Sequence, residues 1–377
     1  MPATDVVIVG AGAIGTAVAW RCAQRGLAVT LVDPDPQRGA WRTAAGMLAP
    51  TTELHYTETP LLALNLESLA RFPSFVAELE DESGHEVGYL RSGAIAVAWD
   101  GADLAALRDL QVFAGELDVD VRLLGAAELR EREPSLAAGL PGGLLAPGDH
   151  QVDPRLLHRA LMAACAARGV QLIRSSAAVH VEGDRVHGVR LADGTRIPAR
   201  KVVLAAGSWS GQLEGVPTAA LAPVRPVKGQ TLRLSAPPGL RLRHIVRASV
   251  RGSAVYIVPR RDGRLVVGAS VDDAGFDQRP RAGAVYELLR DAQSVLPELS
   301  EAVLDEVCTG LRPGSPDNAP IVGPSGVAGL VHATGHYRNG ILLSALTADG
   351  IAALITDGKL PDALTSSTAS RFAPAIS

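Results

Sequence analysis

The sequence predicts an α/β protein in which a parallel-sheet domain is interrupted by a second, α+β domain built on an antiparallel sheet. Three stretches carry that prediction. Val6 to Gly15 reads Val-Val-Ile-Val-Gly-Ala-Gly-Ala-Ile-Gly and leads into an apolar helical pattern, so it spells strand, tight turn, helix. Residues 201–206 form another buried-strand run, which ends in Gly207-Ser208-Trp209-Ser210 as if the chain returned there to complete the first domain. From Val224 onward the pattern changes to strands with hairpin signals, Asp262-Gly263 the strongest of them.

The opening turn is a dinucleotide fingerprint. Gly10 makes the turn, Gly12 lets backbone approach a pyrophosphate, and Gly15 lets the helix pack on the strand. The helix N-terminus, at Ala13 and Ile14, offers free N–H donors and the positive end of a dipole to phosphates. Residues 28–32 are a second apolar run. It ends on Asp33, about twenty residues past the turn, where the fingerprint expects a carboxylate for a ribose diol.

Composition excludes several classes. The chain has 377 residues, 47% of them hydrophobic and 20% charged, enough for two domains with ample core. A formal net charge of -4 leaves no basic footprint for nucleic acid, which points to small-molecule partners. Cys22, Cys165 and Cys308 are scattered and form no CxxC, so neither a disulfide framework nor a metal site is expected, and Cys22 and Cys165 read as buried inert thiols. The most apolar late stretch, 341–355, is broken by Ser344, Thr347 and Asp349, which argues against a membrane span. The chain enters its first strand almost at once, without a charged segment and apolar run before it, so a cytoplasmic location is expected.

In chain order, a polar loop at 34–42 follows Asp33, and then Thr43 to Pro50 is a run of small residues. It reads either as an Ala-rich helical turn with Met47 in the core, or as backbone passing close to a flat group. Residues 61–80 carry Leu62, Leu66, Leu69 and Phe72 at helical spacing and predict an amphipathic helix. Residues 89–99 are β-rich, 102–117 return to a helical period, 126–131 predict a short helix, and the prolines and glycines of 141–147 predict a turn. Asp153 and Pro154 predict the cap and first position of a helix over 155–168. Strands are expected at 171–173, 178–182 and 186–191, with Gly183-Asp184 and Asp193-Gly194 as turns. In the second domain, 230–234, 255–258 and 264–271 predict strands, 283–296 a helix stopped by Pro297, 303–308 a strand and 309–314 a loop. Residues 330–341 repeat strand, glycine loop and helix, with the helix ending near Asp357-Gly358; its N-terminus, set against a flavin, would stabilise negative charge there. The tail from Pro361 is expected to be loosely ordered.

Several of these blocks together carry a resemblance. They are the opening glycine turn, Ala44-Ala45-Gly46-Met47-Leu48 with Glu53 beyond it, Pro226-Val227-Lys228-Gly229, Tyr256-Ile257-Val258-Pro259-Arg260, Gly310-Leu311-Arg312-Pro313-Gly314 and Gly335-His336-Tyr337-Arg338-Asn339-Gly340-Ile341. Over nearly its whole length the chain resembles the FAD-dependent amine oxidase superfamily that includes D-amino-acid oxidase and sarcosine oxidase, and within it the glycine-oxidase branch of bacterial thiamine biosynthesis. The resemblance implies a glutathione-reductase-type, Rossmann-like FAD-binding domain, discontinuous over 1–85, 150–220 and 310–365, and a substrate domain over 86–149 and 221–309. It implies noncovalent FAD held by Gly10, Gly12, Ala13, Ile14, Gly15, Asp33, Ala44, Ala45, Gly46, Met47, Val179, Gly207, His336, Arg338, Asn339, Gly340 and Ile341, a substrate set of Tyr256, Arg312 and Arg338, and a homo-oligomer. Two positions depart from the family's pattern. Ala254 stands where a histidine precedes the tyrosine, and Val271 stands for a pocket methionine, so pocket shape differs while the carboxylate clamp is kept.

The implied reaction oxidises the C–N bond of glycine or another small amino acid by hydride transfer to FAD, with O2 reduced to H2O2. Glycine's imine would hydrolyse to glyoxylate and ammonia or be captured for thiazole formation. Such a site must hold a carboxylate, and Arg312 can do so with two parallel charge-assisted hydrogen bonds, helped by the Tyr256 hydroxyl. Read locally, Arg312 is a surface charge in a Gly/Pro loop and Tyr256 a core or interface residue, and it is the resemblance that reverses both readings. Hydride transfer from a neutral amine needs no protein acid or base, so His332 and His336 read as structural or flavin-lining. Lys228 reads as a surface strand residue or one leaning toward the flavin, while Met47 and Glu53 are candidates for the ring's surroundings. The alternatives are a flavin amine dehydrogenase with a non-oxygen acceptor, a sarcosine or D-amino-acid oxidase, an NAD(P)-dependent oxidoreductase, and a flavin-binding protein without turnover.

Overall fold

The computed structural model describes residues 4–372. Its first sheet has six strands in the order Ile321–Pro324, Leu330–Thr334, Lys201–Leu204, Val6–Val9, Val29–Val32 and Gln171–Ile173. All pair in parallel except Ile321–Pro324, which runs antiparallel on one edge. Val6–Val9 is central and buried on both faces, which is why its residues form an unbroken apolar run rather than an alternating one. In register, Val9 lies between Leu204 and Val32, so Gly10, Ala205 and Asp33 leave the sheet at the same edge. Ligands of open α/β sheets bind at that carboxyl edge.

Helices cover one face of this sheet. Ala13–Gln24 packs between Pro154–Ala167 and Ser344–Asp357, with Trp20 fully buried edge-on against Phe75 of Thr59–Ser83. Asp153 caps Pro154–Ala167 as its sequence predicts, its Oδ1 accepting the Arg155 amide at 2.8 Å. The long helix buries Leu61, Leu64, Phe72, Phe75 and Leu79, whereas Leu66, expected on that stripe, is exposed. On the other face, the antiparallel strands Ala177–Glu182, Arg185–Leu191 and Arg196–Pro198 bury Val179, Val186 and Val189 against Val7, Val9 and Leu204.

The second sheet has eight strands, in the order Val303–Gly314, Arg225–Ser235, Arg264–Gly268, Ser253–Pro259, Ile245–Val250, Ala94–Ala98, Gly142–Ala146 and Arg122–Gly125. One pairing, Ile245–Val250 with Ala94–Ala98, is parallel, and the rest are antiparallel. The helix Ala282–Val295 closes one face through Leu288, Ala292 and Val295. The opposite face places Ala94, Val258 and Val266 against Ala45 and Met47, and so looks toward the carboxyl edge of the first sheet.

Four expectations change. Residues 309–314, predicted as a loop, extend the strand Val303–Gly314, because pairing with Arg225–Ser235 runs through Gly310, Arg312 and Gly314. Residues 141–147, predicted as a turn, contain the strand Gly142–Ala146, where a Cβ on Gly142 would lie 2.4 Å from the Leu124 carbonyl oxygen. The small-residue run is not a helical turn: Met47–Leu48 is a short strand paired with His150–Gln151. Beyond Pro361 the chain is packed rather than loose as far as Phe372, with Leu364 and Ser367 buried in a 3-10 turn.

Candidate active site

A cavity of about 1350 Å³ runs from the glycine turn to the open face of the eight-stranded sheet. Pockets for ordinary small ligands hold about 300–1,000 Å³, so this one has room for an extended ligand and a second small molecule. At its first end, Gly10 adopts φ +108°, and a Cβ there would lie 2.4 Å from the Ala205 carbonyl oxygen. Gly12 opens onto the cavity, its nearest prospective contact being Trp41 at 3.9 Å. Among the described residues no side chain caps the Ala13–Gln24 helix, and no acid lies in its first turn, so its leading N–H groups stay available to an anion.

Two groups hold the turn. Asp33 Oδ2 accepts the Ala11 amide at 2.8 Å and Oδ1 the Asp35 amide at 2.8 Å, leaving further lone pairs for a hydroxyl. His158 Nε2 stands 2.8 Å from the Ala11 carbonyl oxygen, and its ring stacks on Trp41 at 3.9 Å. Burial pushes the His158 pKa down, so the neutral ring donates through Nε2.

Along the middle, the backbone of Thr43 to Met47 is drawn between the two sheets. Thr231 Oγ1 donates to the Thr43 carbonyl at 2.9 Å, and Arg260 Nη2 to the Ala45 carbonyl at 2.5 Å. Arg260 also donates to Gln151 Oε1 at 2.8 Å and lies 3.8 Å from Asp153. Desolvation pulls its pKa down to about 10, with Asp153 opposing, so it remains a cation at neutral pH. Gly46, at φ +73°, meets the Val152 carbonyl where a Cβ would come within 2.0 Å.

At the far end, two side chains lie over two glycines. Tyr256 covers Gly268, whose prospective Cβ would be 2.3 Å from the phenol oxygen. Arg312 covers Gly229, whose Cβ would be 2.2 Å from Nη1. Arg312 donates to the Ser270 carbonyl at 3.1 Å and has no carboxylate partner among the described residues. Desolvation raises the Tyr256 pKa against the opposing Arg312 charge, so the phenol stays protonated and can donate. Beside them, Arg247 stands opposite Tyr256 in register and donates to Glu53 Oε1 at 2.7 Å, with Met47 Sδ at 3.6 Å. Arg338 is ion-paired with Glu58, and its Nε lies 3.8 Å from Glu53. At this end two arginines are thus matched by two glutamates, and Arg312 is the arginine without a carboxylate partner among the described residues.

The cavity gathers most of the residues expected there: Gly10, Gly12, Ala13, Ile14, Asp33, Ala44, Ala45, Gly46, Met47, Gly207, Tyr256, Arg312, His336, Arg338, Gly340 and Ile341 all line it. Gly15, Val179 and Asn339 do not. Gly15 packs under Gly10, 1.9 Å from its carbonyl oxygen to a prospective Cβ, and Asn339 is buried behind the wall. Val179 spends its amide on the Glu214 carbonyl at 2.8 Å and its side chain in the core, leaving Ala178 on the cavity. Lys228 is buried away from it, with Nζ donating to the Arg279 carbonyl. His336 bonds Thr347 Oγ1 at 2.9 Å, and burial pushes its pKa down to about 3; His332 falls to about 4 for the same reason. Both rings are neutral at pH 7 and weak bases there. Sequence reasoning missed Arg247, Trp41 and His158; the alternation of residues 246–250 is the signal that would have placed Arg247 on a strand face.

A family model described as FAD dependent oxidoreductase matches residues 5–354. A bifunctional protein ThiO/ThiG of Nostoc sp. is 37% identical over 363 residues, 94% of this chain and 53% of that protein, so the chain spans about half the length of such relatives. A glycine oxidase of Geobacillus kaustophilus is 35% identical over 354 residues, 93% of this chain and 92% of the relative. The crystal structure of glycine oxidase from Geobacillus kaustophilus superposes with a TM-score of 0.90 at 33% identity over 98% of both chains. That of iminodiacetate oxidase from Chelativorans sp. gives 0.87 at 27% identity, over 96% of this chain and 98% of that one. The cavity fits FAD: an uncapped helix start and the open Gly12 suit a pyrophosphate, Asp33 a ribose, and the small-residue run beside Ala45 a flat ring. On the family model and on these residues, the chain belongs to the FAD-dependent oxidoreductase family.

Proposed function

We propose that this protein oxidises the C–N bond of glycine or another small amino acid or amine, with O2 as final acceptor and H2O2 as product, and serves thiamine thiazole formation. The carrying observation is Arg312, one uncompensated cation beside a protonated Tyr256, in the same cavity as the dinucleotide turn. We assign noncovalent FAD to the cavity-lining residues named above, with residues 1–85, 150–220 and 310–365 as its domain and 86–149 and 221–309 as the substrate domain. When bound, FAD supplies the hydride acceptor. The Arg312 fork and the Tyr256 hydroxyl hold the carboxylate, which orients the substrate's α-carbon and amine within the cavity. Glu53, fixed by Arg247 and near Arg338, offers an oxygen on the same cavity for the amine. His336 and His332 stay neutral, so amine deprotonation is left to solvent. Among the described residues no helix is long and apolar enough to cross a membrane, and we place the enzyme in the cytoplasm as a homo-oligomer.

A peroxide assay on the yellow purified protein with glycine, sarcosine and small D-amino acids tests this reading. Peroxide release is expected. Activity with a dye acceptor alone would turn the assignment into a dehydrogenase, and a colourless protein active with NAD(P) would remove it.

A further inference from the structure

The helix Gly101–Glu116 carries leucines at helical spacing, yet Ala114 is its one fully buried side chain. Leu104 packs over Gly142, whereas Leu107 and Leu110, on one stripe of the helix, are half-buried and line the cavity instead of a core. A bare apolar stripe over a binding cavity calls for an apolar occupant. Across from it the cavity face of the sheet presents small residues, Ala96, Ser249 and Ala254, while Ala248 turns into the core behind. Ala254 lies two residues before Tyr256, hence on the same face of its strand, so this apolar lobe adjoins the carboxylate clamp.

The charges near the lobe narrow the occupant further. Asp103 lines it with a carboxylate that accepts the Trp99 amide at 3.0 Å. Arg247 is committed to Glu53 and Arg338 to Glu58, so beside the lobe a second substrate carboxylate would meet acids and, among the described residues, no unpaired arginine other than Arg312 itself. Resting on the function proposed above, we propose that the site is built for a monocarboxylic amino acid whose nitrogen or α-carbon bears an apolar group longer than methyl, in preference to glycine. The carboxylate takes Arg312, and the apolar group fills the lobe between Leu107, Leu110 and Ala254. Glycine leaves that lobe to water.

The test is kcat/KM by peroxide release in air, with the FAD-loaded full chain, for glycine, sarcosine, N-butylglycine, D-norvaline, L-norvaline and iminodiacetate. N-butylglycine or one norvaline is expected to exceed glycine about tenfold, the low end for a methylene in an apolar pocket, and iminodiacetate to be poorest. The N-butyl and norvaline arms tell which atom bears the group. Leu107→Trp, which fills the lobe, should lower the ratio of the better long substrate to glycine about tenfold with flavin absorbance and Tm unchanged; Ala254→Leu repeats the test from the sheet side. Glycine as best substrate, iminodiacetate as good as the long substrates, or a ratio that neither variant moves would overturn the inference while leaving amino-acid oxidation standing. Absence of both peroxide and dye reduction with every substrate would overturn both.

Discussion

Gly229→Ala separates the position of the Arg312 charge from its presence. The added Cβ would sit 2.2 Å from Nη1 and 2.5 Å from Cζ and Nη2, against about 3.5–4.0 Å for an unstrained carbon contact. The guanidinium must therefore lift from the sheet by roughly 1 Å, and a misplacement of that size costs on the order of 100-fold in rate. Because the obstacle is the end of a flexible side chain, the fold itself can absorb the change. The expected result is a kcat/KM for the best amino-acid substrate lowered about 100-fold, with flavin content and Tm near wild type. Arg312→Ala should lose at least as much, about 3 kcal/mol or more for a carboxylate left unpaired. In the Arg312→Ala background Gly229→Ala should then add almost nothing, since the group it displaces is gone. A Gly229→Ala enzyme with wild-type kinetics, or equal losses in both backgrounds, would refute the view that this glycine seats the clamp.

Three further outcomes follow from the geometry. Asp33→Ala removes the acceptor of the Ala11 and Asp35 amides and should weaken FAD binding roughly 10-fold or more, read by recovery of free-flavin fluorescence on dilution. His336 has a folded pKa near 3 against 6.5 when unfolded, so its neutral burial contributes stability above pH 6.5 that is lost as pH falls toward 3. His336→Gln should flatten the acid limb of a Tm-against-pH curve, and an unchanged limb would count against that burial. Glu53→Gln removes one of two acids balancing two arginines, so iminodiacetate should gain on monocarboxylates in kcat/KM; no change in that ratio would remove the charge count as a determinant.

The nucleotide end was legible because its signals are local. Gly10, Gly12, Gly15 and Asp33 lie within one strand-helix-strand unit: Gly15 packs on the Gly10 carbonyl and Asp33 accepts the Ala11 amide, while Gly10 meets Ala205 of the returning strand and Gly12 stays open to the cavity. The substrate end was legible only through family resemblance, since its strands come from distant parts of the chain. Arg312 shows why. Gly310, Pro313 and Gly314 read locally as a loop, but the ladder to Arg225–Ser235 overrides that preference, and the glycines are there because Thr43 and Val227 crowd them. Arg247 was hidden because its strand turns into Ser253–Pro259 through Arg251-Gly252, a two-residue turn without the Asn-Gly or Asp-Gly signal, and pairs on its other side in parallel with Ala94–Ala98, some 150 positions earlier.

The arrangement of Arg312 also bears on how the clamp binds. Its Nη1 rests on the Ser270 carbonyl, with the Lys228 carbonyl at 3.4 Å, and no carboxylate among the described residues cancels its charge. Neutral carbonyls solvate the guanidinium partially and fix its plane, whereas Arg247 and Arg338 are neutralised by Glu53 and Glu58. An incoming carboxylate therefore has no internal ion pair to break at Arg312, while a ligand seeking Arg247 or Arg338 must displace a glutamate first. Preorganisation of this kind lowers the cost of binding without adding a contact. On the function proposed above, Arg312 is the anchor, and Arg247 and Arg338 hold Glu53 and Glu58 in place around it.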